Sequence, residues 1–389
     1  MAGKEGKGKG KKKGKVEVTE RKKFTTNEEI SDLEERISKT KYNKKTQHAI
    51  GLMKAKLAML REKAQARAST GKASGDDRFS VRRSGDGTAV LLGFPSVGKS
   101  TLLNKITNAK SDIGAYSFTT LSAVPGLMEY KFSKVQVIDV PGIVSGAASG
   151  RGRGKEVLAM LRNADLILIL IEALYPEHYS SLLEEIFETG IRVNQEKPDV
   201  KITKKAKGGV SIGLTVKLTK LDEKTIIDIA REMKLNNVDI LIRTDIDADQ
   251  LIDVINANRV YTNALTILTK IDLVDKNKLE EVKKEINPDV LISAETGIGI
   301  KDLKDAIFDK MGFIRIFLKE VNKKADMDEP LMMFKGCTIK DVCLKLHKDF
   351  VEKFKFVRVW GKSAKFDGQT FRKLNKVIGD GDILELHMR

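Results

Sequence analysis

A chain of 389 residues with 41% hydrophobic content can bury a substantial core, and a net charge of +17 makes it strongly basic. No apolar run reaches the roughly 18 residues of a membrane helix, and the basic N-terminus lacks the apolar segment of a signal peptide. The two cysteines, Cys337 and Cys343, have no zinc-spaced partners, so both are expected to be small buried apolar groups in a reducing cytoplasm.

The charge is unevenly placed. Residues 1–23 hold 10 Lys/Arg against 3 acidic residues, residues 24–90 hold 14 against 9, and residues 313–389 hold 17 against 11. The middle of the chain, 91–312, holds 30 against 31 and is nearly neutral. Basic flanks around a neutral centre predict a polyanionic partner, RNA above all, with solubility charge as the plainer alternative.

In chain order, residues 1–23 are rich in Gly and Lys and read as a disordered basic arm. Residues 24–76 read as a helical hairpin. Thr25, Thr26 and Asn27 precede acidic Glu28 and Glu29, a helix start, and a second helix covers about 45–68. The hairpin either meets a partner or packs on the nucleotide domain.

Residues 77–190 and 244–312 read as that domain. A strand over 88–92 leads into Gly93, Phe94, Pro95, Ser96, Val97, Gly98, Lys99 and Ser100, which fit G-x-x-x-x-G-K-[ST]. Thr101 opens the helix that follows. Glycines let backbone N–H groups approach phosphate, and the helix N-terminus adds the positive end of a dipole. Lys99 is placed to reach the β- and γ-phosphates, and the Ser100 hydroxyl to ligate Mg²⁺. The stretch 112–121 lies where a switch loop belongs. Within it Phe118, Thr119 and Thr120 are candidate contacts, with Thr120 favoured over Thr119 as the Mg²⁺ ligand, although spacing alone does not separate them. A strand over 135–139 ends in Asp139, followed by Val140, Pro141 and Gly142. The carboxylate can hold Mg²⁺ through water, and the Gly142 N–H can contact the γ-phosphate. Ile143 then stands where many GTPases carry a water-orienting glutamine, which predicts slow intrinsic hydrolysis. Arg151 and Arg153 are either charge-stabilising groups or solvated side chains.

A core strand is expected over 165–171 and a helix over 177–189. Residues 191–243 break the pattern with a strand, a helix and a strand, an α/β insertion. A helix over 249–258 resumes the nucleotide domain. The strand 264–268 ends in Thr269, Lys270, Ile271 and Asp272, close to N-K-x-D with Thr for Asn. Asp272 can accept both guanine N1–H and N2–H₂, a pair adenine lacks, whereas Thr269 shortens the side chain that would tie the loops together. Ser293, Ala294 and Glu295 follow a strand over 290–292, and their backbone N–H groups can meet guanine O6. Residues 313–389 form a separate module of strands around the helix 339–346. Its removal is expected to leave the nucleotide elements intact.

Taken together, G-F-P-S-V-G-K-S, Y-S-F-T-T-L over 116–121, D-V-P-G-I-V over 139–144 and T-K-I-D resemble the developmentally regulated GTP-binding proteins (DRG), a family of Obg-related GTPases. The C-terminal module resembles a TGS domain, a ubiquitin-like β-grasp. The resemblance implies an α/β P-loop GTPase domain with a helical N-terminal hairpin, an α/β insertion and a TGS domain. It also implies Mg²⁺-dependent turnover of GTP to GDP, ribosome or RNA association, and a small regulatory partner protein on a monomeric GTPase. A K⁺ cofactor is an option, but the asparagine that helps hold it in Obg-type relatives is Ser96 here. Two functional readings remain: a GTP-hydrolysing switch on the translation machinery, or an RNA-binding module whose nucleotide domain is structural with negligible turnover. An ATP-using enzyme is disfavoured by Asp272.

Overall fold

The computed structural model describes residues 25–69, 85–107, 124–140 and 160–389. They fall into two compact units, one made of the described residues within 1–72 together with 200–255, the other of those within 73–199 together with 256–389.

The second unit is built on a seven-stranded sheet ordered β10-β9-β4-β1-β3-β2, with β5 added beside β9. Its strands are β1 (Gly87–Leu92), β2 (Val124–Tyr130), β3 (Ser133–Asp139), β4 (Leu166–Glu172), β5 (Ile191–Val193), β9 (Val260–Thr269) and β10 (Val290–Leu291). All pairings are parallel except β2 with β3. Strands covered on both faces read as continuous apolar runs, and β4 shows how the two faces are sorted. Leu166, Leu168 and Leu170 point to one layer, Ile167, Ile169 and Ile171 to the other. The leucine layer packs on helices α3 (Lys99–Ile106) and α8 (Ile300–Met311), and the isoleucine layer on α4 (His178–Glu188) and α7 (Lys276–Ile286).

The C-terminal module carries β11 (Phe313–Leu318), β12 (Leu331–Phe334), β13 (Phe354–Trp360), β14 (Gln369–Phe371) and β15 (Ile383–Met388), ordered β12-β11-β15-β13-β14. Helix α9 (Ile339–Leu346) crosses the inner face of this sheet and buries Ile339, Val342 and Cys343 against Ile314, Ile316, Val357, Val359 and Leu384. Burial raises both cysteine thiols above their usual range, Cys337 to about 11, as suits inert core groups. The module is less separate than its sequence suggests. Phe313 and Met332 belong to the leucine layer of the nucleotide domain, with Phe334 packed beside them. A side chain on Gly87 would press on Phe313, Met311 and Phe334 at 3.1–3.3 Å. Lys345 also donates to the Asp86 carboxylate at 2.7 Å, immediately before β1. The expectation that residues 313–389 can be removed without touching the nucleotide domain is therefore revised.

In the first unit, α1 (Thr26–Lys39) and α2 (Gln47–Ser69) form the N-terminal hairpin. Thr25 caps α1 reciprocally with Glu28. The sheet β6-β8-β7 joins β6 (Val200–Lys204), β7 (Val210–Leu214) and β8 (Val238–Ile242), with helices α5 (Glu223–Glu232) and α6 (Ala248–Asn256). Helix α2 lies close on α5. A Cβ on Gly51 would sit 3.2 Å from Ile229 and 3.3 Å from Thr225, and Ala55 is fully buried among Ile226, Ile229 and Ile240. Leu52, Ala55, Ala58 and Met59 of α2 thus pack into the core of the insertion. The unit boundaries also differ from the expected 191 and 243. Ile191 pairs with Val260 in the main sheet, and Leu251 and Ile252 of α6 are buried with the insertion. Among the described residues, no helix is long and apolar enough to cross a membrane.

Candidate nucleotide-binding site

Strand β1 is central and wholly buried, and it delivers the glycine loop to the carboxyl edge of the parallel sheet, between β3 and β4. This is the edge where open α/β sheets bind ligands. A Cβ on Gly93 would lie 2.8 Å from the Leu170 carbonyl, so only glycine lets the loop leave β1 beside β4. Gly98 sits in the left-handed region at φ +98 and caps α3, and Ser96 is also left-handed at φ +64. The Phe94 and His178 rings meet at a tilt with centroids 4.4 Å apart, and Pro95 and Val97 help line a small cavity of about 150 Å³.

The Lys99 ammonium folds back onto the loop and donates to the carbonyls of Gly93 and Phe94, both at 2.9 Å. Its burial pushes its pKa down, and the nearby Asp139 carboxylate opposes that shift. The Ser100 hydroxyl donates to Asp139 Oδ2 at 2.7 Å, while the other oxygen, Oδ1, is buried and has no hydrogen-bond partner among the described residues. An orphaned carboxylate oxygen beside a hydroxyl fits a hard cation, which supplies both with a positive partner. Ser100 would hold Mg²⁺ directly and Asp139 through water. Val140 is buried behind them, and Thr101 is exposed on the first turn of α3.

The base side is assembled at the ends of β9 and β10. Thr269 is buried, and its hydroxyl lies 3.0 Å from the Val97 carbonyl and 3.2 Å from that of Ile171. Threonine, although shorter than asparagine, therefore ties this strand end to the phosphate loop; its reach suffices because β9 lies close to β4. Lys270 adopts a left-handed φ of +55 and pairs with Glu172 at 3.0 Å, a contact the sequence did not reveal. A carboxylate at the end of an apolar strand was the signal available for Glu172. Ile271 to Leu273 form one 3₁₀ turn with Asp272 exposed. The Ile271 N–H reaches the Ile292 carbonyl, setting this turn beside Ser293. Ser293 is fully buried and spends its N–H on Ile298, its carbonyl on Gly297 and its hydroxyl on the Thr296 N–H. Ala294 and Glu295 are left as the turn's candidates for a guanine carbonyl. Phe118, Thr119, Thr120, Pro141 and Gly142 lie outside the described residues, as do Ile143, Arg151 and Arg153.

Three family models match in order: "50S ribosome-binding GTPase" over residues 88–205, "C-terminal region of MMR_HSR1 domain" over 207–313, and the TGS domain over 314–388. The chain is 51% identical over 366 residues to the uncharacterized GTP-binding protein MJ1326 of Methanocaldococcus jannaschii, covering 92% of each chain. It is 39% identical to developmentally-regulated GTP-binding protein 2 homolog of Dictyostelium discoideum, covering 92% of this chain and 98% of that one. The chain belongs to the DRG family of Obg-related GTPases. Human developmentally-regulated GTP-binding protein 2 is 37% identical over 343 residues, 88% of this chain and 94% of its own. As a DRG protein the chain carries a GTP-binding domain, a C-terminal extension of it and a TGS domain.

Proposed function

We propose that this DRG-family chain is a Mg²⁺-dependent GTPase that hydrolyses GTP to GDP and phosphate slowly on its own and switches its association with ribosomes or RNA. The observation that carries the reading is the Ser100–Asp139 pair with its orphaned carboxylate oxygen, one residue along from Lys99 at the start of α3. Bound Mg²⁺ would neutralise charge on the β- and γ-phosphates. Lys99 adds a point charge once phosphate oxygens replace the loop carbonyls it now rests on. Asp272 selects guanine, and Thr269 holds the base-side turn against the phosphate loop. Thr120 and the Gly142 N–H complete the γ-phosphate contacts in this reading, and Ile143 keeps the basal rate low. The ribosome or RNA part rests on the basic flanks and on the wording of the matching family model. Cytoplasmic location, a monomeric state and a small regulatory partner protein belong to the same reading.

The test is phosphate release from GTP with Mg²⁺, with and without ribosomes, alongside sedimentation with ribosomes under GTP, GDP and no nucleotide. Turnover stimulated by ribosomes and nucleotide-dependent sedimentation are expected. Sedimentation that ignores nucleotide, with negligible turnover in every condition, would favour an RNA-binding module whose nucleotide domain is structural.

A further inference from the structure

The C-terminal sheet has two faces with different fates. Its inner face is covered by α9, and part of its outer face, through Phe313 and Met332, is sealed against the nucleotide domain. The rest of the outer face lies on β15, β13 and the end of β11. Register places its side chains in rows across the strands. Phe317, Ile383 and Trp360 form one row; Lys319, Glu385 and Arg358 form the next; His387 lies opposite Phe356 in the third.

The middle row is unusual. The Glu385 side chain is 2% exposed, yet it accepts from Lys319 at 2.6 Å, His387 at 2.7 Å and Arg358 at 3.4 Å. Burial alone would raise its pKa, but the hydrogen bonds from Lys319 and His387 outweigh that and hold it below the usual range. The Glu385 carboxylate is thus consumed inside the face, whereas the Arg358 side chain remains 48% exposed. Aromatic rings flank the charges. His387 and Phe356 stack at 4.2 Å and 17°, and the Lys319 ammonium lies 4.4 Å from the Trp360 ring centre. Phe356, Trp360 and His387 are all partly exposed. A sheet face that pairs aromatic platforms with surplus cations suits unpaired bases joined by phosphates, because every base offers a π-face. An RNA duplex hides those faces and would meet the charge alone.

We propose that this open part of the C-terminal sheet binds single-stranded RNA, with bases stacked on the His387–Phe356 pair and a phosphate on Arg358. The proposal rests on the RNA-binding reading above and assigns it a surface. Trp360 is the chain's single tryptophan, so the unmodified protein reports on the site. The experiment titrates the full chain with a short oligouridylate, reading Trp360 fluorescence and, separately, the anisotropy of a labelled oligomer. It is repeated with a matching RNA duplex and with the double variant Phe356→Ala, Arg358→Ala. The expected results are a saturable change in Trp360 emission, tighter binding of single strand than duplex, and about ten-fold weaker single-strand binding by the variant. The variant should also show a log–log salt slope shallower by about 0.7 and unchanged GTP affinity. Parent-like oligomer binding by the variant with a silent Trp360 would overturn the assignment and leave the RNA reading standing. Duplex bound as tightly as single strand would overturn it as well. Parent-like oligomer binding by the variant with weakened ribosome sedimentation would mean that the face meets protein, and would also overturn it. A full chain that binds neither oligomer nor ribosomes at low salt would remove the RNA reading itself.

Discussion

The hydroxyl of Thr269 lies 3.0 Å from the carbonyl of Val97, joining the residue that opens T-K-I-D to the centre of the phosphate loop across 172 positions of sequence. Both residues are buried, so a Val97 carbonyl deprived of this donor carries the cost of its desolvation. Thr269→Val keeps the shape and removes the donor. It should destabilise the nucleotide-free protein by about 1–3 kcal/mol and weaken GTP, since loop and base-side turn then move independently. Calorimetric unfolding and GTP titration check this; parent-like values in both would show that the contact is incidental.

Lys99→Met separates binding from stability. The folded state depresses the Lys99 pKa through burial, so at neutral pH the buried charge opposes folding, and that penalty fades as pH rises through the folded value. The nucleotide-free variant should therefore unfold no more easily than the parent at pH 7, while losing the stabilisation that Mg·GTP gives the parent. Ser100→Ala should lose only the Mg²⁺-dependent part of that stabilisation. Thermal shifts with GTP, with and without Mg²⁺, read out both variants.

Asp272→Asn replaces a two-fold acceptor with a group that presents one acceptor and one donor. Discrimination for GTP over xanthosine triphosphate should fall by roughly 100-fold, a few kcal/mol. Competition binding measures it, and unchanged preference would move the guanine contact elsewhere.

Glu385 makes the C-terminal module sensitive to acid. Its folded pKa is depressed below the ordinary 4.5, so its pairs stabilise the fold above that pH and are lost as pH falls through the folded value. Glu385→Gln should cost about 2 kcal/mol at pH 7 and flatten the decline of stability below about pH 4.5. Denaturant unfolding at a series of pH values tests the sign.

Truncation at residue 312 should be harmful. It uncovers the buried wall contributed by Phe313 and Met332 and leaves Asp86 without Lys345. A lower unfolding midpoint and reduced basal turnover are expected, in contrast to the benign loss that charge and motif position alone suggest. Assays of the shortened chain beside one lacking residues 1–23 would show the difference.

What the sequence made legible follows from chemistry that demands fixed residues at fixed spacing. Phosphate cradling requires Gly93, Gly98, Lys99 and Ser100 in one short segment, and a buried parallel strand requires the apolar run of β4. What stayed hidden depends on approach between distant segments. That the shorter Thr269 still spans the gap follows from the packing of β9 on β4, which motif spacing does not encode. Strand β2 was illegible because Pro125 and Gly126 break its pattern, and it survives as an edge strand paired on one side by β3. Phe313 and Met332 fall in the segment expected to be a separate module, and only the folded arrangement assigns them to the neighbouring layer. Likewise, the insertion's limits were misplaced because α6 has the same amphipathic pattern whichever core it serves.

The contact of Phe313 and Phe334 with Gly87 also has a consequence for synthesis. Strand β1 leaves the ribosome more than 200 residues before its two aromatic neighbours do. Throughout that interval the base of the leucine layer lacks its wall, and the nascent nucleotide domain exposes apolar surface that the finished chain buries. The segment that closes the first strand of the sheet is made long after it, so a chain released early carries every nucleotide motif on an unsealed core.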